Sequence, residues 1–302
     1  MASNILGKIS RERTISAVVI VIVALAAILP GGIILAAVLY VISIIAYLEL
    51  TKACGVRQND PEGQEAGRLN ALQVAGIVAI TCFYFIVYIK HPEEGTIHFL
   101  EAIQFTVLDT GIMIALFFSL IMMMSVYVLA FPKYNAHQVM AAYFSLVYAP
   151  AMLSFVFLTR QLEHGIYLVW MIFINSWISD TCAYLVGVMF GRHKLAPVLS
   201  PKKSVEGAAG GVVGSALVGA LYGWYLDSVL ETQNLAVLLF VVGGVGSVIS
   251  QIGDLAASAI KRNYEIKDYG KLIPGHGGIM DRFDSVIFTA PITYFLIILF
   301  MR

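Results

Sequence analysis

Residues 111–131 read GIMIALFFSLIMMMSVYVLAF, twenty-one consecutive positions without a charged side chain. At 1.5 Å of rise per residue such a run makes a helix of about 30 Å, the thickness of a bilayer's hydrocarbon core. In lipid a helix also satisfies its own backbone N–H and C=O groups, which an irregular segment does not. The stretch therefore predicts a transmembrane helix. Working outward, the same reading applies to residues 14–29, 32–50, 70–89, 137–158, 166–190, 208–227, 234–258 and 284–301. Composition agrees: 59% of the 302 residues are hydrophobic, 13% are charged, and the mean hydropathy is +0.85. A typical soluble chain carries about 25% charged residues. An ordinary water-soluble domain, a disordered chain and a nucleic-acid binder working by bulk basicity are excluded. The fold class is an all-α polytopic membrane protein with about nine transmembrane helices.

Nineteen basic residues balance nineteen acidic ones, so the sum says nothing, but their placement does. Lys and Arg collect in cytoplasmic loops. With nine crossings and a cytoplasmic N-terminus, only Lys90, Arg160 and Arg302 of the nineteen fall outside. The first two segments are short and separated only at Pro30-Gly31-Gly32. A single crossing there would divide Lys8, Arg11 and Arg13 from Lys52, Arg57 and Arg68, so a tight hairpin of two spans is expected, with the C-terminus outside. The basic start followed by an apolar run to Ala26-Ala27 has the outline of a signal peptide, but the many later segments favour a retained first helix. Cys54, Cys82 and Cys182 show no ligand spacing, and the histidines are scattered. Glu49, at the cytoplasmic end of its segment, reaches the interface and implies no chemistry. Polar groups concentrate late, dividing the chain into N-terminal helices, 1–160, and a C-terminal region, 161–302, with motif loops at 191–207 and 259–283.

Two constellations carry chemistry. In the first, Asp180 lies about ten residues, roughly 15 Å, inside its span, where an ionisable group needs a cavity, a cation or a partner. The loop Ser200-Pro201-Lys202-Lys203-Ser204-Val205-Glu206-Gly207 follows, placing ammonium and hydroxyl groups before a new helix, which suits phosphate. Gly207, Gly211, Ser215 and Gly219 recur every four residues, a stripe that lets membrane helices pack closely. In the second, Asp254, Ser258 and Lys261 share one helix face. Beyond them come Arg262, Lys267-Asp268, Ile273-Pro274-Gly275-His276-Gly277-Gly278 and Asp281-Arg282-Phe283-Asp284. Asp281 and Asp284 share a face if the last helix starts there. Carboxylates with open coordination positions suit Mg²⁺, and basic residues neutralise phosphate, so the composition is that of a phosphoryl or nucleotidyl transfer site.

The run from Ser258 through Lys261-Arg262, Lys267-Asp268, Gly270, Ile273-Pro274, His276-Gly277-Gly278 to Asp281-Arg282-Phe283-Asp284 resembles the signature of the phosphatidate cytidylyltransferases. Ala183-Tyr184, Phe190-Gly191-Arg192, Leu195-x-Pro197 and Ser200 to Gly207 resemble that family in order and spacing. Ser204 stands where the family often has Thr, Val205 where it has an aromatic residue, and Cys182 where it has Gly or Ala. The resemblance implies CTP + phosphatidate → CDP-diacylglycerol + pyrophosphate, a divalent metal (Mg²⁺, with a second cation plausible), a cytoplasmic active site and a homodimer. It further implies Asp254, Asp281 and Asp284 as metal carboxylates, with Asp180 a further candidate. Asp268, Lys267 and His276 complete the catalytic set, and Ser200, Lys202, Lys203, Ser204, Ser258, Lys261, Arg262 and Arg282 would meet CTP or lipid phosphate.

Rival readings are a polyprenol kinase or an archaeal lipid cytidylyltransferase, and from another class an ion-coupled transporter using Asp180 and Asp254. Lack of an internal repeat and the basic residues beside the acids count against the transporter. A cell (inner) membrane location is expected, since the hydrophilic N-terminal extension common in eukaryotic relatives does not precede the first segment. No nucleic-acid partner is expected.

Overall fold

The computed structural model describes residues 16, 18–56, 68–90, 111–273 and 277–301. Among them eight helices are long and apolar enough to cross a membrane, and the first expected segment contributes a shorter helix, α1, Val18–Ile28. The eight are α2 Gly32–Ala53, α3 Ala71–Lys90, α4 Gly111–Leu129, α5 Ala136–Arg160, α6 Gly165–Phe190, α7 Val205–Leu230, α8 Leu235–Asn263 and α9 Met280–Phe300. A short antiparallel hairpin, β1 Lys194–Ala196 with β2 Ser200–Ser204, sits between α6 and α7. The chain is thus a multi-pass, mostly helical membrane protein.

Hydropathy located the helices but not their ends. Between α1 and α2, Gly31 and Gly32 hold φ of 71° and 43°, a left-handed backbone that glycine enters without strain, so the chain breaks into two helices there. Apolar character ends at residue 258 and resumes at 284, yet α8 runs on to Asn263 and α9 already starts at Met280. Backbone hydrogen bonding does not stop where lipid does, and polar residues continue a helix into water.

By contact the chain forms two units, Met1–Phe157 with Asp268–Asp281, and Leu158–Lys267 with Arg282–Arg302. The segment 268–281, C-terminal in sequence, packs within the first unit.

In the first unit, two Asn-x-x-Gln pairs start helices. Asn70 and Gln73 exchange caps at α3, as do Asn135 and Gln138 at α5, which satisfies backbone donors that a helix start leaves open. The same side chains reach the end of α2: Asn70 Nδ2 and Gln138 Nε2 both donate to the Val56 carbonyl, at 3.1 and 3.0 Å. Between α2 and α3, Ser43 meets Tyr84 at 2.6 Å and Tyr40 meets Thr81 at 2.8 Å.

The second unit is built on close backbone approach. A side chain at Gly219 or Gly223 would overlap the carbonyl oxygens of Leu239 or Leu235 on α8, and one at Gly207 would crowd the Ala183 carbonyl of α6. The expected small-residue stripe is therefore a packing seam. A five-residue π turn at Ile174–Ile178 interrupts α6 and turns Asn175 and Ser176 inward. Asn175 donates to Thr293 at 3.1 Å and accepts from Ser215 at 3.4 Å, Ser176 meets Thr289 at 3.0 Å, and Ser179 meets Ser247 at 2.6 Å. Apolar side chains of α6, α7, α8 and α9, including Met171, Leu226, Leu239 and Ile297, form the core around this network.

Candidate active site

The β-hairpin decides how the first motif is used. Alternate residues of a strand face opposite ways, so Lys202 and Lys203 on β2 are divided. Lys202 lines a cavity of about 240 Å³ together with Leu199, Ser200, Pro201, Ser258, Lys261, Arg262 and Lys267, whereas Lys203 forms an ion pair with Asp254 of α8. Four cations and two hydroxyls thus converge on one cavity, drawn from β2, the end of α8 and the segment that follows it. The one-turn spacing of Ser258 and Lys261 expected from sequence puts both on its wall.

Glu206 fixes the hairpin's base. Its carboxylate accepts from the backbone N–H groups of Arg192 (3.0 Å) and His193 (3.2 Å) and meets His193 Nδ1 at 2.6 Å. Ser204, in extended backbone with φ −117°, caps α7 by accepting from Gly207 N–H at 3.2 Å. Neither residue is part of the cavity wall.

Carboxylates gather next to this basic cluster. Asp180 of α6 lies within electrostatic reach of Lys203, Asp254 and Arg282, and Asp284 within reach of Asp254, Lys261 and Asp180. Asp180, Asp254 and Asp284 are hard oxygen donors, the ligand type a divalent cation takes. Among the described residues, however, no three His, Cys, Asp or Glu side chains converge at metal-holding spacing, and Lys203 supplies the positive charge at Asp254.

Asp281, in the first turn of α9 and buried, organises its own surroundings. One oxygen, Oδ2, accepts from Tyr269 N–H at 2.8 Å and from Gly278 N–H at 3.0 Å, which ties both residues to the helix start. Gly277 holds φ of 88° there, a conformation costly for any residue with a side chain. Asp268 is exposed beside Gly277, and Arg282 is exposed one residue past Asp281. His276 lies outside the described residues.

Sequence reasoning gave no role to Asn175, Glu206 or Glu49. A lone Asn inside an apolar helix was the available signal for Asn175. Glu49 reads as an interfacial carboxylate, yet its Oε1 and Oε2 accept from the N–H groups of Ile279 (3.2 Å) and Met280 (2.8 Å) at the start of α9.

A polytopic membrane protein with a hydroxyl-lined, four-cation cavity next to clustered carboxylates is one equipped to handle a polyphosphate in or at the bilayer. Comparison with known proteins gives that class its family. The cytidylyltransferase family model matches residues 11–300. The phosphatidate cytidylyltransferase of Staphylococcus saprophyticus is 31% identical over 289 residues, 95% of this chain and 99% of the relative. Those of Staphylococcus epidermidis and Staphylococcus aureus are 30% and 31% identical, again over 95% of this chain and 99% of each relative. The chain belongs to the cytidylyltransferase family and is a membrane nucleotidyltransferase.

Proposed function

We propose that the protein transfers the cytidylyl group of CTP to phosphatidate, releasing pyrophosphate and leaving CDP-diacylglycerol in the membrane. The convergence of Lys202, Lys261, Arg262 and Lys267 with Ser200 and Ser258 on one cavity carries this reading. A phosphatidate oxygen attacks the α-phosphorus of CTP. The new P–O bond forms as the bond to the β-phosphate breaks, and the electron pair leaves with pyrophosphate. Both reactants are anions, so the barrier has a large electrostatic part, and preplaced cations lower it without reorganising at the moment of reaction. In this reading the four cations hold the triphosphate and stabilise the departing pyrophosphate, while the hydroxyls orient its oxygens. The attacking oxygen is already ionised near neutral pH, so no strong general base is needed.

Mg²⁺ is proposed as the cofactor, with Asp254 and Asp284 as its carboxylates and Asp180, Asp281 and a second cation as further candidates; it would act as a Lewis acid on phosphate oxygens. Lys203 would keep Asp254 paired before a cation arrives. His276, Lys267 and Asp268 keep their proposed catalytic places, and Lys203, Ser204 and Arg282 their proposed phosphate contacts. A cytoplasmic active site is supported by charge placement, because every cation of the cavity falls on the side richest in Lys and Arg. A homodimer in the cell (inner) membrane completes the proposal.

The test incubates purified protein in lipid nanodiscs with CTP labelled at the α-phosphate, phosphatidate and Mg²⁺. The reading expects label in a CDP-lipid and stoichiometric pyrophosphate. Release of CDP with a phosphorylated lipid would make the protein a kinase, and no lipid labelling at all would remove the assignment.

A further inference from the structure

We propose that Glu49 is a positioning residue for the reaction: from the end of α2 it caps the start of α9 and thereby sets where the first turn of that helix, and the aspartate it carries, stands. The role rests on the cytidylyltransferase reading above and adds to it a residue outside every motif that supports that reading.

Three observations carry it. The first four N–H groups of a helix have no partner within it, and their aligned dipoles favour an anion. Here the two oxygens of one carboxylate are used separately, Oε1 on Ile279 N–H at 3.2 Å and Oε2 on Met280 N–H at 2.8 Å. A bidentate grip fixes both the position and the rotation of a helix end, whereas a single bond leaves rotation open.

Second, the slot is shaped for this carboxylate. A side chain at Gly270 would overlap Glu49 Oε1, and one at Gly278 would overlap both carboxylate oxygens. Gly270 and Gly278 thus leave open the space that the Glu49 carboxylate, reaching from α2, occupies, and a side chain at either would displace it. Neither holds a positive φ, so backbone strain does not explain them.

Third, the grip ends next to Asp281, one of the aspartates proposed above as a candidate for the cation. Met280 precedes Asp281, and Asp281 Oδ2 accepts from Gly278 N–H at 3.0 Å and Tyr269 N–H at 2.8 Å. Two carboxylates thus clamp one short segment from opposite ends: Asp281 ties it to Tyr269 from within, and Glu49 ties it to α2. Losing the outer clamp lets the first turn of α9 fray, and displacement of a catalytic group by about 1 Å costs on the order of a hundredfold in rate.

The experiment compares wild-type protein with Glu49→Ala and Glu49→Gln in nanodiscs, by amide hydrogen exchange of peptides spanning 277–284 and by steady-state kinetics normalised to folded protein. Glu49→Ala is expected to speed exchange of that segment at least tenfold. It should lower kcat roughly tenfold to a hundredfold while KM for CTP stays within about twofold, since the cavity cations are not touched. Glu49→Gln, whose amide oxygen still accepts from one N–H, should recover a large part of kcat. Unchanged exchange in Glu49→Ala overturns the cap. Faster exchange with unchanged kcat per folded molecule overturns the positioning role, and so does a loss confined to KM or to the folded fraction. A wild-type protein that does not convert phosphatidate instead sinks the functional reading, and exchange then decides the cap by itself.

Discussion

The two units of the chain solve the same problem, holding apolar helices together in lipid, by different means. In the first, hydroxyl pairs such as Ser43 with Tyr84 bridge the helices, and reciprocal Asn/Gln caps tie helix ends to the Val56 carbonyl. In the second, glycines let backbones meet directly, and a network from Asn175 to Thr293 and Ser176 to Thr289 fills the seam. The hydrophobic effect gives no preference for helix contact over lipid contact, so close packing and buried hydrogen bonds supply the specificity. The unit with the tighter backbones is also the one that holds Asp180, Asp254 and the basic cavity. Polar side chains on packed, inflexible helices keep their positions when ionised groups are brought next to them, and a site on such helices is more exact than one on loops.

This contrast predicts effects of graded size. The largest belongs to Asp254→Asn, expected to lower cytidylyl transfer by about a hundredfold to a thousandfold with the protein still folded, as judged by activity per molecule in the monodisperse fraction. Activity near wild type would show that Asp254 serves only as the partner of Lys203.

Next comes the seam: Gly219→Ala, which meets the Leu239 carbonyl, should destabilise the protein by about 3 kcal/mol, read as loss of thermal stability in nanodiscs. If the seam opens to admit a methyl at little cost, the two units do not differ as described. Arg262→Ala should raise KM for CTP roughly tenfold to a hundredfold, corresponding to about 1.5–3 kcal/mol for a lost charge-assisted bond. A change in kcat alone would move Arg262 from ground-state binding to the transition state. The smallest effect is expected in the first unit, where Asn135→Ala removes a cap and costs about 1 kcal/mol with kcat and KM unchanged.

Much of the fold was legible because a span declares itself in about 20 adjacent residues. The stretch 111–131 needs no other part of the chain to be read, and Gly31-Gly32 announces its own turn. The basic cavity was legible in outline, since Ser258 and Lys261 share a helix face by local geometry. What was not legible depended on partners far along the chain. Nothing local to Lys202-Lys203 says that one faces the cavity and the other faces Asp254; the hairpin's register decides that. Ser204 carries a hydroxyl that suits phosphate, and only the fold shows that its Oγ also accepts from the Gly207 N–H. Glu49 reads as a carboxylate in search of water, and the two N–H groups that donate to it lie beyond any sequence window.

By itself the sequence determined the lipid solvent, the helical class, the approximate spans and the residue types needed for nucleotidyl transfer, because hydropathy, helix periodicity and side-chain chemistry act over neighbouring residues. Which lysine faces the cavity, where α9 begins, and what fills the space beside Gly270 and Gly278 follow only from the folded chain. Those depend on hydrogen bonds and steric exclusion over about 3 Å between residues as distant in sequence as 49 and 280, and such contacts exist only once the chain has folded.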